Sequence, residues 1–421
     1  MSEFVDAASP SPAAPPRVSI ESRDSWIAAF IVLGLLSISY GSPLLAIVGL
    51  KPITDSLGTE RELVALAGAL TWLGTGIGGI VMGQVAERLG VRVTVSFGAA
   101  MIALGLAISA SGGLWTLIVG HALFVGLLGN GALYPPLLVY VSRWFDRRRG
   151  IALALISSGQ YIAGMVWPTL FEIAMMDRGW RLTMALYAAV IVVAVPVAAV
   201  FLRHPPSAAA GDVAASAGER RQHVFGLRPN AVLAILCAAG FCCCIPMSIP
   251  QGHLVAFCSD IGIPAEEGAL MLSVLQASAF TSRIFWGWTA DRVGGLKTVF
   301  AASFCQAVTI AAFMATRNEA GLFTIAAAYG AGFSGIIPAY VVAIRELFPA
   351  REASWRVPSL LFVSMGGMAF GGWLAGALFD HLGSYGPAFA IGVLFNFANL
   401  VLVGSLVLRQ RAHGGFRPVL A

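Results

Sequence analysis

Two short stretches decide the fold: "GQVAERLGVR" at residues 83–92 and "GWTADRVGGL" at residues 287–296. Glycine, an acid, arginine and glycine recur in the same order in both, with an offset of 204 residues. Each stretch follows the second apolar run of its half of the chain. The repeat therefore predicts a molecule made of two halves with the same fold and the same orientation.

The apolar runs indicate where that molecule resides. The chain has a mean hydropathy of +0.82, and 58% of its residues are hydrophobic while only 11% are charged, against roughly 25% charged in soluble domains. A window of about 19 residues finds runs near the ~20 residues that span hydrocarbon. Backbone groups in lipid must pair within their own segment, which favours helices. We predict an all-α membrane protein with twelve spans, at 26–48, 63–86, 93–111, 114–141, 150–175, 181–202, 231–255, 267–289, 298–316, 321–345, 357–379 and 385–408.

Charge placement predicts the topology. With both termini cytoplasmic, the cytoplasmic loops and tails hold 20 of the 26 Lys and Arg residues, as the positive-inside rule requires. The net charge of +5 is then a topology signal, and no nucleic-acid partner is needed to explain it. The predicted units are a disordered cytoplasmic tail at 1–25, six-helix bundles at 26–202 and 231–408, a cytoplasmic linker at 203–230 and a tail at 409–421.

The repeated loop resembles the G-x-x-x-D-R-x-G-R signature of the major facilitator superfamily, which follows the second helix of each half. That resemblance implies two six-helix bundles related by an axis along the membrane normal. It also implies a conformational gate at the loops, where glycines allow close helix approach and the acid and arginine cross-link helix ends. The gate residues are Gly83, Glu87, Arg88 and Gly90 in the first half and Gly287, Asp291, Arg292 and Gly294 in the second.

Two further stretches narrow the resemblance. "SRWFDRRRGIALALISSGQYIAG" (142–164) is similar to the segment that opens the fifth helix of monocarboxylate transporters. "GALFDHLGSYGPAF" (376–389) resembles a passage between the last two helices of that family and of oxalate–formate carriers. The family's entry to the first helix is kept only in part, as Asp24 and Trp26.

One arginine is the strongest candidate for a binding residue. Arg283 is the only formal charge between Ala269 and Ala290, and an arginine at mid-membrane costs about 2.5–3.5 kcal/mol unless it faces a bundle interior or a cavity. Gln276, seven residues earlier, shares its helix face. Organic-anion carriers that the chain resembles hold the substrate carboxylate with an arginine of this helix, and a guanidinium suits that ligand.

The resemblance also implies which helices line the pathway. It places Tyr40, Asn130, Tyr134, Tyr161 and Ser334 there, and the repeat offset makes Asn130 and Ser334 symmetry partners. Asp260 and His253 are candidates for proton coupling, because the family's own acid is replaced by Ala279. Additional polar candidates are Ser42, Gln160, Ser248, Gln251, Tyr329, Tyr340 and Ser364.

These residues predict a secondary active transporter of a small organic anion. The eleventh helix has no Lys or Arg and carries Met365 near the place of the oxalate–formate lysine, so a single cation favours a monocarboxylate, taken up by proton symport with alternating access. The alternatives are an oxalate–formate type exchanger, a carrier of another small solute such as a drug–proton antiporter, and a non-transporting sensor. No nucleophile–base motif or metal-ligand spacing indicates an enzyme, a metal or a cofactor. We expect a functional monomer with the anion, protons and the lipid bilayer as partners, in the cell membrane, most simply a bacterial inner membrane.

Overall fold

The computed structural model describes residues 21–145, 148–203 and 223–413. The remaining parts of the predicted tails and linker lie outside the described residues. Within the described part the chain is helical apart from turns and one isolated bridge between Val224 and Leu227. Long helices are α1 (Arg23–Val48), α2 (Arg61–Leu89), α3 (Val91–Ser111), α4 (Leu114–Ser142), α5 (Ile151–Arg178), α6 (Trp180–Val200), α7 (Pro229–Asp260), α8 (Ala265–Val293), α9 (Gly295–Ala315), α10 (Glu319–Leu347), α11 (Trp355–Leu382) and α12 (Gly386–Ala412).

Eleven of these helices, all except α8, are long and apolar enough to cross a membrane. Helix α8 lies where the eighth span is predicted and has 29 residues. It is less apolar than the others because it contains Arg283 and Gln276 and carries acids in its first turn and Arg292 in its last. The helix that departs from the hydropathy pattern is thus the one with the candidate binding arginine.

The first helix begins earlier than its hydropathy predicts. Ser22 caps α1, because its side-chain oxygen accepts a hydrogen bond from the Ser25 backbone N–H at 3.4 Å, while the Ser25 hydroxyl oxygen accepts one from the Ser22 backbone N–H at 3.1 Å. Such a capping box satisfies amide donors that a helix start leaves unpaired. Residues 23–25, assigned to a disordered tail from the sequence, therefore belong to the helix.

The repeat extends to backbone conformation. Gly90 ends α2 with φ 86° and ψ 153°, and Gly294 ends α8 with φ 91° and ψ 157°. Residues with a Cβ rarely adopt this region. The two glycines of the repeated loop therefore serve the same purpose in both halves, which is to turn the chain directly into the next helix.

The first glycines of the repeated loop do not behave as predicted. A Cβ at Gly83 or Gly287 would meet no atom within 4 Å among the described residues. The expected close helix approach at these positions is therefore wrong for this conformation. The motif ends of α2 and α8 face open space here, so their small side chains have no neighbouring helix to accommodate.

The two halves meet along two helix pairs, α2 with α11 and α5 with α8. Glycines make both contacts close. A Cβ at Gly376 of α11 would lie 2.8 Å from the Cα of Glu62 in α2, and one at Gly164 of α5 would lie 2.6 Å from the Gln276 amide nitrogen in α8. These pairs surround the space between the halves, where the candidate site residues lie.

Helix α4 contains a feature that the hydropathy pattern does not predict. Its segment Gly120–Asn130 is wound as a π-helix, and its glycines pack on the backbone of α2. A Cβ at Gly74 would lie 2.6 Å from the Ala122 carbonyl oxygen, and one at Gly126 would lie 2.7 Å from that of Thr71. The wider turn lets two helix backbones touch beside the predicted site residue Asn130.

Candidate functional site

A small cavity of about 70 Å³ lies between the halves. Helices α1, α2, α5, α7, α8 and α11 form its walls, and none of its lining residues carries a fixed charge. Its volume is far below the roughly 300–1,000 Å³ of typical ligand pockets, so the halves are closely packed here. The polar lining residues are Tyr40, Gln160, Ser248, Gln251, His253 and Gln276.

Several cavity side chains keep unused hydrogen-bonding capacity. The side-chain oxygen of Gln276 is buried and has no partner in the described part of the chain. Gln251 uses its amide nitrogen for the Met247 carbonyl at 3.0 Å. An unpartnered buried polar atom costs roughly 1–3 kcal/mol, which a polar solute or water in the cavity would offset.

Arg283 lies on the face of α8 shared with Gln276, about 10 Å further along the helix axis at 1.5 Å per residue. It does not line the small cavity. Its guanidinium carbon lies 5.1 Å from the centre of the Tyr161 ring of α5, so the charge of one half rests on an aromatic face of the other. Its Nε is buried without a hydrogen-bond partner, and no described acid pairs with it. A half-buried cation whose buried Nε–H has no partner can donate to an anion.

The other predicted binding residues lie nearby but have different surroundings. Tyr134 packs edge-on against Tyr40 with ring centres 5.6 Å apart. Asn130 donates weakly to the Ser42 hydroxyl at 3.4 Å, while its buried side-chain oxygen has no partner among the described residues. Ser334 is hydrogen-bonded to Ser282, next to Arg283, at 2.8 Å. The predicted symmetry partners therefore have different surroundings, with Asn130 beside Ser42 of α1 and Ser334 beside the arginine.

Two additional candidates for the pathway lining, Tyr329 and Tyr340, form hydrogen bonds within the second half. Tyr329 donates to the Pro246 carbonyl at 2.9 Å, and Tyr340 donates to the Asn399 side-chain oxygen at 2.7 Å. Both are fully buried. Their hydroxyl groups hold α7, α10 and α12 together and do not reach the cavity, so the expectation that they line the pathway is wrong for this conformation.

A cluster of charged and polar residues closes the end of the molecule opposite the repeated loops. We call it the latch; its members are Lys51, Arg61, His253, Asp260, Asp380 and Tyr385. Arg61 of α2 forms a two-point ion pair with Asp260 of α7, with Nη2 to Oδ1 at 2.8 Å. Lys51 adds a second cation 3.4 Å from Asp260. Both contacts join the first half to the second. Asp260, a proton-coupling candidate, is therefore part of an inter-half closure.

The same end is reinforced by the stretch 376–389. Asp380 accepts hydrogen bonds from the backbone N–H groups of Arg61 and Glu62, at 3.1 and 2.7 Å. This places a carboxylate at the positive N-terminal end of α2, which stabilises it further. The Arg61 guanidinium carbon also lies 3.7 Å from the centre of the Phe379 ring. The sequence motif that resembles monocarboxylate transporters thus supplies one side of the latch.

His253 connects the cavity to the latch. Its Nε2 lies 2.8 Å from the Gly372 carbonyl and its Nδ1 lies 3.1 Å from the Tyr385 hydroxyl. A carbonyl only accepts, so Nε2 donates and Nδ1 accepts from Tyr385. The Tyr385 oxygen in turn accepts from Arg61 at 3.1 Å. Burial raises the pKa of Tyr385, which lies between α11 and α12. Its hydroxyl therefore keeps the proton that it donates to His253.

The gate residues at the repeated loops are arranged differently in the two halves. Glu87 pairs with Arg143 at 3.3 Å, which links the ends of α2 and α4. Arg292 stacks on Trp288 at 4.2 Å. Within the described residues Asp291 forms no ion pair, and the corresponding link is made by Glu346, which accepts from the Gly295 N–H at 3.0 Å. Cross-linking by Asp291 is therefore wrong for this conformation.

Sequence reasoning missed most of the latch. Arg61 and Lys51 have no local pattern that distinguishes them from ordinary loop cations, and Asp380 and Tyr385 stand out only as parts of the stretch 376–389. Arg61 and Asp260 are separated by 199 residues and Arg61 and Tyr385 by 324. A signal was nonetheless present, because the motif contains an acid and a tyrosine near a predicted helix end.

Comparison with known proteins identifies the family. The family model described as Major Facilitator Superfamily matches residues 25–355 and 236–418. The chain therefore belongs to the Major Facilitator Superfamily. It is a multi-pass membrane protein, and the proteins it resembles are transporters and not enzymes.

Individual relatives are distant. Monocarboxylate transporter 13 from Rattus norvegicus is 27% identical over 336 residues, which cover 78% of this chain and 75% of that protein. The uncharacterized MFS-type transporter YcxA from Bacillus subtilis is 22% identical over 366 residues, which cover 85% of this chain and 88% of that protein.

Solved structures share the fold. A bacterial homologue of the human lysosomal transporter Spinster superposes with a TM-score of 0.72 at 14% identity, covering 95% of this chain and 100% of that one. The peptide transporter POT in complex with sulfate superposes with a TM-score of 0.70 at 17% identity, covering 93% of this chain and 94% of that one.

Proposed function

We propose that this protein is a secondary active transporter that carries a small monocarboxylate together with a proton across the cell membrane. Twelve spans with both termini cytoplasmic, α8 included, form its two bundles. The observation that carries the proposal is Arg283: a half-buried guanidinium inside the helix bundle, over the Tyr161 ring, with a buried Nε that lacks a partner. Monocarboxylate transporter 13 among the relatives supports the same substrate class.

The charge around Arg283 favours a monoanion. The lining of the cavity contains no Lys or Arg, and the two other inter-half cations, Lys51 and Arg61, are committed to Asp260. One free cation balances one carboxylate. A dianion such as oxalate would retain an unbalanced charge in a low-dielectric site, which is costly.

The two ends of the molecule support a cycle of alternating access. The latch joins the halves at one end, whereas at the motif end the described residues form no ion pair between the halves. Under the proposed topology the latch is extracellular and the motif end cytoplasmic. The conformation is then closed to the outside, and Arg283 lies on the cytoplasmic side of the small cavity.

The latch offers a route for proton coupling. A proton on Asp260 removes the negative partner of Arg61 and Lys51. A proton on His253 adds a positive charge beside Arg61 and takes away the acceptor for the Tyr385 hydroxyl. Either event weakens the closure, so protons from outside favour opening toward the outside, where the carboxylate enters. This is the direction that symport requires.

The test is uptake into proteoliposomes that contain the purified protein. Radiolabelled lactate, pyruvate, formate, acetate and oxalate are offered with and without an inward proton gradient. We expect at least one monocarboxylate to accumulate, faster with the gradient. Arg283→Gln should abolish this uptake, whereas the matched control Arg178→Gln, which changes an exposed arginine at the end of α5, should not.

Other outcomes separate the alternatives. Oxalate-driven counterflow that ignores the proton gradient would favour an exchanger of the oxalate–formate type. Near-normal monocarboxylate uptake by Arg283→Gln would refute the role of this arginine. Absence of uptake of all five anions by a folded protein would refute the substrate class.

A further inference from the structure

We propose that a groove between α9 and α12 is a binding site for an anionic phospholipid. The groove has a volume of about 620 Å³ and lies away from the cavity between the halves. Its lining is apolar except for Ser405 and two cations, Lys297 and Arg411. The other lining residues are Phe300, Leu400, Val401, Gly404, Val407 and Leu408.

The apolar part of the groove has the shape of an acyl-chain site. Phe300, Val401 and Leu408 are 39%, 55% and 65% exposed in the isolated chain. Gly404 forms part of the floor, and a Cβ there would lie 3.3 Å from the Phe300 ring. The hydroxyl of Ser405 is already used, because it donates to the Leu402 carbonyl at 2.7 Å. The wall therefore offers apolar contact and no competing polar group.

The two cations lie together at one end of the groove. Lys297 is in the first turn of α9 and Arg411 is in the last turn of α12. Both helix ends lie on the side of the repeated loop 287–296, where α8 passes into α9. No acid lines the groove, and neither cation pairs with an acid among the described residues. Basic pockets between membrane helices on the cytoplasmic side are suited to acidic headgroups.

The length of the groove matches the hydrocarbon thickness of one lipid leaflet. Arg411 and Leu400 are eleven residues apart on α12, which is about 16 Å of helix at 1.5 Å per residue. Half of a hydrocarbon core of ≈ 30 Å is about 15 Å. A lipid whose phosphate contacts Lys297 and Arg411 would therefore lay one acyl chain along the whole groove. The single negative charge of the phosphate would give both cations a partner that they otherwise lack in the described structure.

The experiment is native mass spectrometry of the full chain released from micelles that contain palmitoyl-oleoyl phosphatidylglycerol or palmitoyl-oleoyl phosphatidylcholine. We expect the wild type to retain phosphatidylglycerol preferentially. Each cation contributes about five-fold in affinity near an anionic surface, so Lys297→Gln with Arg411→Gln should reduce that preference by about 25-fold. The matched control Arg409→Gln, on the same turn of α12 but outside the groove, should change it less than two-fold.

A second variant tests the apolar part. Gly404→Leu places a side chain in the groove and should lower retention of both lipids while leaving both cations in place. The proposal is overturned if the double variant keeps its preference within two-fold of wild type, or if Arg409→Gln loses as much. It is also overturned if phosphatidylcholine binds the wild type equally well.

Discussion

Two arginines of this protein lie between its halves and have opposite surroundings. Arg61 is 7% exposed, and its charge is met by Asp260, the Tyr385 hydroxyl and the Phe379 ring. Arg283 is half-buried, touches the Tyr161 ring, and has no acid or hydrogen-bond acceptor among the described residues. An arginine is thus paired with an acid at the latch, whereas a second arginine between the halves has no acid partner among the described residues.

The difference indicates two separate tasks. A cation that is paired with an acid stabilises the arrangement in which it is found, so Arg61 holds the halves together. A cation whose donors are unused raises the energy of the empty protein and lowers it again when an anion arrives. Substitutions at the two positions should therefore change different measured quantities.

The largest effect is expected at Arg283. Arg283→Gln removes a charged hydrogen-bond donor worth about 1.5–3 kcal/mol, so the affinity for lactate in detergent, measured by isothermal titration calorimetry, should fall about 10- to 150-fold. Arg283→Lys keeps a point charge without the planar fork, so its affinity for lactate should lie between those of the wild type and Arg283→Gln. The melting temperature should be unchanged or higher. A large drop in melting temperature with unchanged affinity would make Arg283 a structural residue like Arg61.

The opposite result is expected at the latch. Arg61→Gln or Asp260→Asn breaks a pair that is mostly buried, so the outside-open population should rise about five-fold or more, as expected for a loss near 1 kcal/mol. The measurement is labelling of Gly252→Cys, a cavity-lining position, by a membrane-impermeant maleimide, in a protein whose six native cysteines are replaced.

The double variant is the control for the latch. Arg61→Gln with Asp260→Asn removes both charges of this pair and leaves only Lys51 without its acid, so its labelling rate should be lower than the sum of the single effects. Equal labelling of the wild type and all three variants would show that the ion pair does not hold this end closed.

A change in pH should act through the same end. Lactate uptake by the wild type should increase several-fold as the external pH falls, because in the proposed symport a proton from outside enters with each lactate. Asp260→Asn imitates the protonated carboxyl, so its uptake should depend less on external pH and start from a higher level at neutral pH. An unchanged pH profile in Asp260→Asn and in His253→Gln would exclude both residues from proton coupling.

The smallest effect is expected at Tyr161. Tyr161→Phe keeps the ring face below Arg283 and should bind lactate within two-fold of wild type. Tyr161→Leu removes a cation–π contact worth about 0.5–1 kcal/mol, so affinity should fall about two- to five-fold. If Phe and Leu behave alike and both lose affinity, the hydroxyl and not the ring supports the site.

Much of the fold could be predicted because its causes are local. Hydropathy locates the apolar helices, and the repeated loop predicts Gly90 and Gly294, which share one backbone conformation. Arg283 was recognisable because a lone charge in an apolar run is costly wherever it packs. The π-helical segment Gly120–Asn130 could not be recognised from the sequence. It depends on packing against the backbone of α2, which the local hydropathy pattern does not indicate.

The latch could not be predicted for a different reason. It joins residues from α2, α7 and α11 with Tyr385, which lies between α11 and α12. Near a predicted helix end, a charged residue has the same local pattern whether it meets water or a partner 199 residues away. The open space at Gly83 and Gly287 was hidden similarly, because it depends on how helices that are distant in the sequence pack together.

Asp380 holds α2 through two main-chain amides, and this has a consequence for genetics. Alanine scanning along α2 would leave that attachment intact at every step, since each replacement retains its N–H. Only proline at those sites, or a change of the carboxylate itself, would reveal it. A survey of side chains would therefore undercount the bonds that join the two bundles. Natural variation at position 62, which reaches Asp380 only through its main chain, would be tolerated more readily than variation at 380.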